Sequence, residues 1–276
     1  MKRHSISRST GASSGAHAVS RALRIARTFS DHRPEWSLAE LSRELQLSKP
    51  TAFRLLGALA DGGLVVRSEP GGSYRLGPAA IELGARAQRA NSVVSAARPE
   101  LEALTRATGE TSSVEILAGS EILILDEVRG GHLIGTSPSV GTRWPAHAAS
   151  TGKVLLAAAQ ARDPRVLARL AAGTGGRLPA FTGRTVRSPA RLAEELRRVA
   201  RQGYAVANGE LEDGYVAVGA PVCRYDGEAV AAISVGGPST RLTAGRIREL
   251  VAPVRAAADR ISQRLGWTAG GRPNLP

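Results

Sequence analysis

Two short amphipathic runs, SLAELSREL at residues 37–45 and SKPTAFRLLGAL at residues 48–59, stand with only Gln46 and Leu47 between them. Ser37 followed three residues later by Glu40 is a capping box, and Leu38, Leu41 and Leu45 share one helical face. In the second run Ser48 is placed to cap a helix, and Pro50 falls in its first turn, where the missing N–H is not needed. At about 100° per residue, Ala52, Leu55, Leu56 and Leu59 gather on one side and Pro50, Thr51, Arg54 and Gly57 on the other, with Lys49 and Phe53 on the flank. A free face of small residues and one Arg suits the major groove of DNA, which excludes bulk and rewards Arg on guanine edges or phosphate. Further on, RSEPGGSYRLG reads as a hairpin with a Pro-Gly-Gly reversal, the wing expected of a winged helix-turn-helix, and it carries Arg75. An ordinary amphipathic helix pair shares the first features. The wing and a basic amino-terminal arm favour DNA.

Charge supports this direction without proving it. Lys plus Arg total 37 against 24 Asp plus Glu, a formal charge of +13, and nearly all the positive charge is Arg. An Arg-rich surface suits phosphate, although a high-GC genome enriches Arg and Ala by itself. The 276 residues, 42% hydrophobic, are sufficient for one large or two ordinary cores. A single cysteine, Cys223, excludes an internal disulfide and any Cys-based zinc cluster. MKRHSISRSTGASSGAHA lacks the apolar core of a signal peptide, and no stretch reaches the roughly eighteen apolar residues of a membrane span. These features predict a cytoplasmic protein with no membrane partner.

By pattern the chain divides into a basic arm (1–15), the winged helix-turn-helix (16–77), a linker helix (78–91), a large carboxy-terminal domain (92–268) and a short tail (269–276). In the linker, Ala80, Leu83, Gly84 and Ala87 form a small-residue stripe that either packs on its own domain or meets a second copy. Beyond Ser92, helical runs alternate with the strand-like SSVEILAG, EILILDEV, YVAVGAPVC and AVAAISVGG, predicting a mixed α/β sheet with helices packed on it.

Candidate chemistry in this domain is sparse. Gly152-Lys153 lacks the earlier Gly and the following Ser or Thr of a phosphate loop. Ser150, Thr151 and Gly152 stand at the start of a helix, where they either cap it or offer N–H groups to an anion such as a carboxylate. Five histidines show no metal-ligand spacing, and His147 reads as a hydrogen-bonded residue at a pocket edge. Cys223 reads as a buried thiol, and Glu210, Glu212 and Asp213 in GELEDG as a solvated turn. GASSG at residues 11–15 formally matches a nucleophile elbow but has no strand before it. No catalytic set, metal or cofactor is expected. Two readings stay open: an effector-controlled DNA-binding regulator, or an enzyme or metabolite-binding protein whose amino-terminal domain serves assembly.

The segments RALRIARTF, LAELSRELQLSKPTAFRLLGAL, YRLG, PAHAASTGKVLLA, QGYAVANGELEDGYVAVGAPV and AAISVGGPSTRL closely resemble, in order and spacing, those of the IclR-type bacterial transcription regulators, over residues 16–266. The resemblance implies an α+β architecture: a winged helix-turn-helix, a linker helix and a GAF-like effector-binding domain. It also implies dimers or tetramers on near-palindromic double-stranded operators, often as repressors. DNA contacts then fall to Ser48, Lys49, Pro50, Thr51, Phe53 and Arg54 of the recognition helix and Arg75 of the wing. Effector contacts fall to Leu133, Thr136, Trp144, Ser150, Thr151 and Gly152, with Ala217 and Ser234 opposite. The recognition helix departs from the family's polar pattern at Pro50 and Phe53, and the pocket departs from it at Ala207 and Ala217. The expected effector is a small organic acid.

Overall fold

Local caps and one small apolar core account for the first of two compact units, which divide between Gln88 and Arg89. The computed structural model describes residues 14–30, 32–68, 71–131, 140–172 and 175–268. Helix α1 (Ser14–Thr28) starts just inside the stretch expected to be an arm, whose residues 1–13 lie outside the described residues, as does the 269–276 tail. Helices α2 (Leu38–Glu44) and α3 (Lys49–Asp61) follow. The Ser37 hydroxyl accepts from the Glu40 amide, and the Glu40 carboxylate accepts from the Ser37 amide at 2.9 Å, completing the capping box that the spacing predicts. Ser48 caps α3 by accepting from the Thr51 amide. Strands β1 (Val65–Arg67) and β2 (Tyr74–Leu76) form the antiparallel wing. Two backbone hydrogen bonds between Trp36 and Tyr74 join the wing to the residue ahead of the α2 cap. Ile25, Trp36, Leu41, Leu56, Val65 and Tyr74 meet in the core of this unit. Helix α4 (Pro78–Ala90) has no buried residue, and Ile81 and Leu83 on it are exposed.

The second unit is a six-stranded antiparallel sheet with helices on both faces. After α5 (Ser92–Thr108) come β3 (Thr111–Ala118), β4 (Glu121–Val128), β5 (Arg143–Pro145), β6 (Ala205–Asn208), β7 (Tyr215–Cys223) and β8 (Ala229–Pro238), in the spatial order β5-β4-β3-β8-β7-β6. The four long strands are those the sequence predicts. The short edge strands β5 and β6 carry too few residues for alternation to single them out. Helices α5 and α9 (Ala244–Arg264) bury Leu101, Leu250 and Ile261 against Val114, Val218 and Ile233 on one face. On the other, α6 (Ser150–Arg162), α7 (Val166–Leu170) and α8 (Pro189–Gln202) bury Leu155, Leu156, Leu167 and Leu192 against Ile122 and Ala232. Burial on both faces explains why β7 and β8 read as nearly continuous apolar runs.

One charged group interrupts this packing. Lys153 on α6 is fully buried, and its Nζ donates to Glu195 of α8 at 2.7 Å and to Glu210 at 2.5 Å. Glu210, expected in a solvated turn, is therefore an exception to that reading: it is only 9% exposed, while its neighbours Glu212 and Asp213 are exposed as predicted. A lysine carried into an apolar layer by its helix has no water, so carboxylates must come in with it. The triad ties α6, α8 and the turn before β7 together. Replacing Lys153 by Met leaves two poorly solvated carboxylates unpaired and is expected to cost about 3–5 kcal/mol in urea unfolding. That deficit should shrink on acidification, as Glu210, whose carboxyl burial pushes up, becomes neutral. A deficit below about 1 kcal/mol, or one indifferent to pH, would show that the triad does not hold these elements.

Candidate functional site

On α3 the structure leaves one face open. Lys49, Pro50, Phe53 and Arg54 are exposed, Phe53 at 58%, and a side chain at Gly57 would meet nothing within 4 Å. Ala52, Leu56 and Leu59 are buried on the opposite side, as the spacing predicts. The Ser48 hydroxyl donates to the Thr51 hydroxyl at 2.8 Å, so these two groups organise the helix start as well as facing outward. Arg75 is exposed on β2, and Arg21, Arg24, Arg27 and Arg67 of the same unit are exposed too. A solvent-facing helix with a small and basic surface, flanked by a basic hairpin, has the form and charge to enter a groove and neutralise phosphate.

The second unit holds a cavity at the start of α6, with about 520 Å³ of empty space when its open mouth is counted. Trp144, Ser150, Thr151, Ala217 and Ser234, all expected there, line it together with Ala207. Leu133 and Thr136 lie outside the described residues. Gly152 is not among the lining residues: a Cβ there would stand 2.1 Å from the Ala146 carbonyl oxygen, so its role is close packing against the preceding short turn. Close approach also explains Gly219 on β7, where a Cβ would lie 3.0 Å from the Thr151 amide nitrogen. The helix start thus rests directly on the sheet. Its N-cap is Ala149, with no side-chain cap, so neither Ser150 nor Thr151 caps it. The first helical bond runs from the Lys153 amide to the Ala149 carbonyl at 2.9 Å, and the Ser150, Thr151 and Gly152 amides precede that ladder. Amides of this kind, with the helix dipole behind them, favour an anion.

The wall facing α6 is more polar than expected. Thr111, Ser113 and Glu115 alternate along β3 and line the cavity, while Val114 between them enters the core on the other face. Across from them the β4 register slips, Val114 pairing with Asp126 and Glu115 with Ile124. The extra residue switches the parity of β4, so that Ile122, Ile124 and Glu127 all line the cavity while Asp126 accepts from Arg98 of α5 at 3.1 Å. Glu115 is 3% exposed; its Oε1 accepts from the Ser113 hydroxyl, and its Oε2 is buried without a hydrogen-bond partner. Burial pushes the Glu115 carboxyl up to about 7, with the Ser113, Thr151 and Ser234 hydroxyls opposing the shift and the Glu127 carboxylate adding to it. These residues lie beyond those drawn from the sequence. Their signal is polar side chains at every second position of a strand with helices on both faces, where a filled core would leave no room for them.

His147 is buried, and its Nε2 pairs with the Pro179 carbonyl at 2.9 Å, agreeing with a hydrogen-bonded residue beside the pocket; burial pulls its pKa down. Cys223, expected to be a buried thiol, is only half-buried, and desolvation pushes its thiol up to about 11, away from the reactive thiolate form. Of GASSG, residues 11–13 lie outside the described residues, and Ser14 and Gly15 begin α1.

Comparison with known proteins gives the same division of labour. Residues 18–69 match the IclR helix-turn-helix domain and residues 85–263 the bacterial transcriptional regulator IclR C-terminal domain. The HTH-type transcriptional regulator BhcR of Paracoccus denitrificans is 34% identical over 82% of this chain and 79% of its own length. The transcriptional repressor IclR of Escherichia coli is 29% identical over 90% of both chains. Among solved structures, an IclR homologue of Microbacterium hydrocarbonoxydans, crystallised with 4-hydroxybenzoate, superposes with a TM-score of 0.76 at 27% identity, covering 90% of this chain and 98% of that one. The relatives bear the names of regulators, which settles the choice between a regulator and an enzyme. The chain belongs to the IclR family of bacterial transcription regulators.

Proposed function

We propose that this regulator is a cytoplasmic repressor that grips a near-palindromic operator as a dimer or a dimer of dimers, and that a small organic acid in the carboxy-terminal cavity changes its hold on DNA. The observation that carries the effector class is the start of α6, where Ser150 and Thr151, whose amides precede the helical ladder, line a cavity that also has Trp144 as an apolar wall. The 4-hydroxybenzoate held by the Microbacterium homologue is a ligand of that chemistry. A repressor role follows the name of the Escherichia coli relative. Self-association is supported by α4, whose Leu83 is exposed and whose Gly84 has nothing within 4 Å of a Cβ position, leaving its small-residue stripe open to a second copy. Two recognition helices then stand about one DNA turn, roughly 34 Å, or a multiple of it, apart. The wholly apolar Ala207 and Ala217 give the acid a dry lateral wall. Its unequal affinity for DNA-competent and DNA-incompetent states is the only source of its effect.

Footprinting the purified protein on DNA beside its own gene, with and without a panel of organic acids, tests this reading; protection that no acid alters would refute effector control. Replacing Arg54 by Ala should leave the fold intact and weaken specific operator binding by about 1–3 kcal/mol in gel-shift titration. Unchanged affinity would place the reading head elsewhere. Wild-type affinity should also fall steeply with salt, through counterion release. A bulky side chain in the cavity, Ala217→Leu, should abolish the response to acid while operator binding persists, and a normal response in that variant would move the effector out of this cavity.

A further inference from the structure

The effector reading leaves one group without a role. Glu115 faces the place where an anion would sit, and a carboxylate beside a bound carboxylate would repel it. Its surroundings supply no counter-charge among the described residues lining the cavity. From β4 it is faced by Glu127, already paired with Arg129 at 3.3 Å. From the turn before β7 comes Glu210, held by Lys153 of α6, which Glu195 of α8 shares. β7 contributes the Tyr215 phenol, pushed up by burial, while β8 and the start of α6 contribute only the hydroxyls of Ser234, Ser150 and Thr151. Lys153 and Arg129 are thus paired with other acids, and among the described residues lining the cavity the polar groups around Glu115 are hydroxyls and the carboxylates of Glu127 and Glu210.

Resting on the organic-acid reading above, we propose that Glu115 enters the complex as the neutral carboxylic acid, donating a hydrogen bond from Oε2 to the effector's carboxylate, so that anion binding by this regulator takes up one proton. Geometry supplies three reasons. The Oε2 atom is fully buried, lacks a partner and belongs to a residue lining the cavity, so it has an unmet need that a ligand oxygen can satisfy. The Oε1 atom is fixed by the Ser113 hydroxyl, itself 3.0 Å from the Ser234 hydroxyl, which orients the carboxyl group without charging it. Ser150 and Thr151 at the start of α6 line the same cavity, so a carboxylate seated between that helix end and Glu115 is repelled by an ionised Glu115 and hydrogen-bonded by a protonated one. A carboxyl that titrates near neutrality, as burial makes this one do, is poised for that uptake without a large cost. The consequence is selectivity as well as pH dependence. The cavity accepts acids as anions near or below neutrality and loses them as the medium becomes alkaline.

The sign is fixed by linkage. If the anion binds only the protonated form, affinity is level below about pH 7 and falls about tenfold per pH unit above it. The full-length protein is titrated calorimetrically with 4-hydroxybenzoate between about pH 6 and about pH 8.5, in two buffers of different ionisation enthalpy. Near the alkaline end the proposal requires uptake of about one proton per ligand, together with the tenfold slope. The Glu115→Gln variant, which keeps a donor but cannot titrate, must bind with a level pH profile whatever its absolute affinity. A level profile in the wild type, no buffer dependence of the heat, or the same slope in Glu115→Gln overturns the proposal while leaving the organic-acid reading intact. Failure of the wild type to bind this acid, or acetate, at any pH in the range overturns both.

Discussion

The start of α6 pressed onto the sheet is the contact on which the regulatory half of this protein depends. It requires two absences, a side chain at Gly219 beneath the helix and one at Gly152 beside the Ala146 carbonyl. Behind it, the Lys153 carboxylate triad fixes the rotation of α6 against α8 and draws the turn before β7 inward. Those two constraints bring Ser150 and Thr151 to one side of a cavity whose other walls come from the strands, the short turn before α6 and the turn before β7. Without the close approach the start of α6 would not reach the cavity, and its polar groups would come from the sheet and the turn before β7 alone.

A buried ion triad of this kind adds little net stability, because desolvation of three charges offsets most of their attraction. Its value lies in orientation. An apolar helix sliding on an apolar sheet has several nearly equivalent positions, whereas Lys153 between two glutamates accepts one. Glu210 is at once a triad member and a lining residue, so a ligand touching that wall acts on the same network that seats α6. Coupling of this form needs no long pathway within the unit: it needs two arrangements of one packed layer, unequally populated with and without ligand.

What the sequence reveals and what it conceals separate by range. Ser37 with Glu40, Ser48 with Pro50, and the Pro-Gly-Gly reversal are legible because each acts within a few residues of itself. The apolar face of α3 is legible because helical periodicity is local as well. Glu115 and Glu127 are opaque for the opposite reason. Which face each one joins depends on a register slip between β3 and β4, and on helices that arrive from residues 150–202 to cover that face. Lys153 reads as a failed phosphate loop until Glu195 and Glu210, 42 and 57 residues away, are beside it. Ser150 and Thr151 stand at the helix start that the sequence predicts, but the cap position falls to Ala149, since a backbone conformation and not a residue type decides where α6 begins.

The central claim is that this cavity holds an organic anion by its carboxylate at the start of α6, with Glu115 on the facing side. A crystal structure of the protein with 4-hydroxybenzoate tests it most directly. The account predicts the carboxylate against the Ser150 and Thr151 amides, one of its oxygens within hydrogen-bond distance of Glu115 Oε2, and the ring against Trp144. A ligand bound with its carboxylate turned away from α6, or a cavity left vacant at saturating acid, would contradict it.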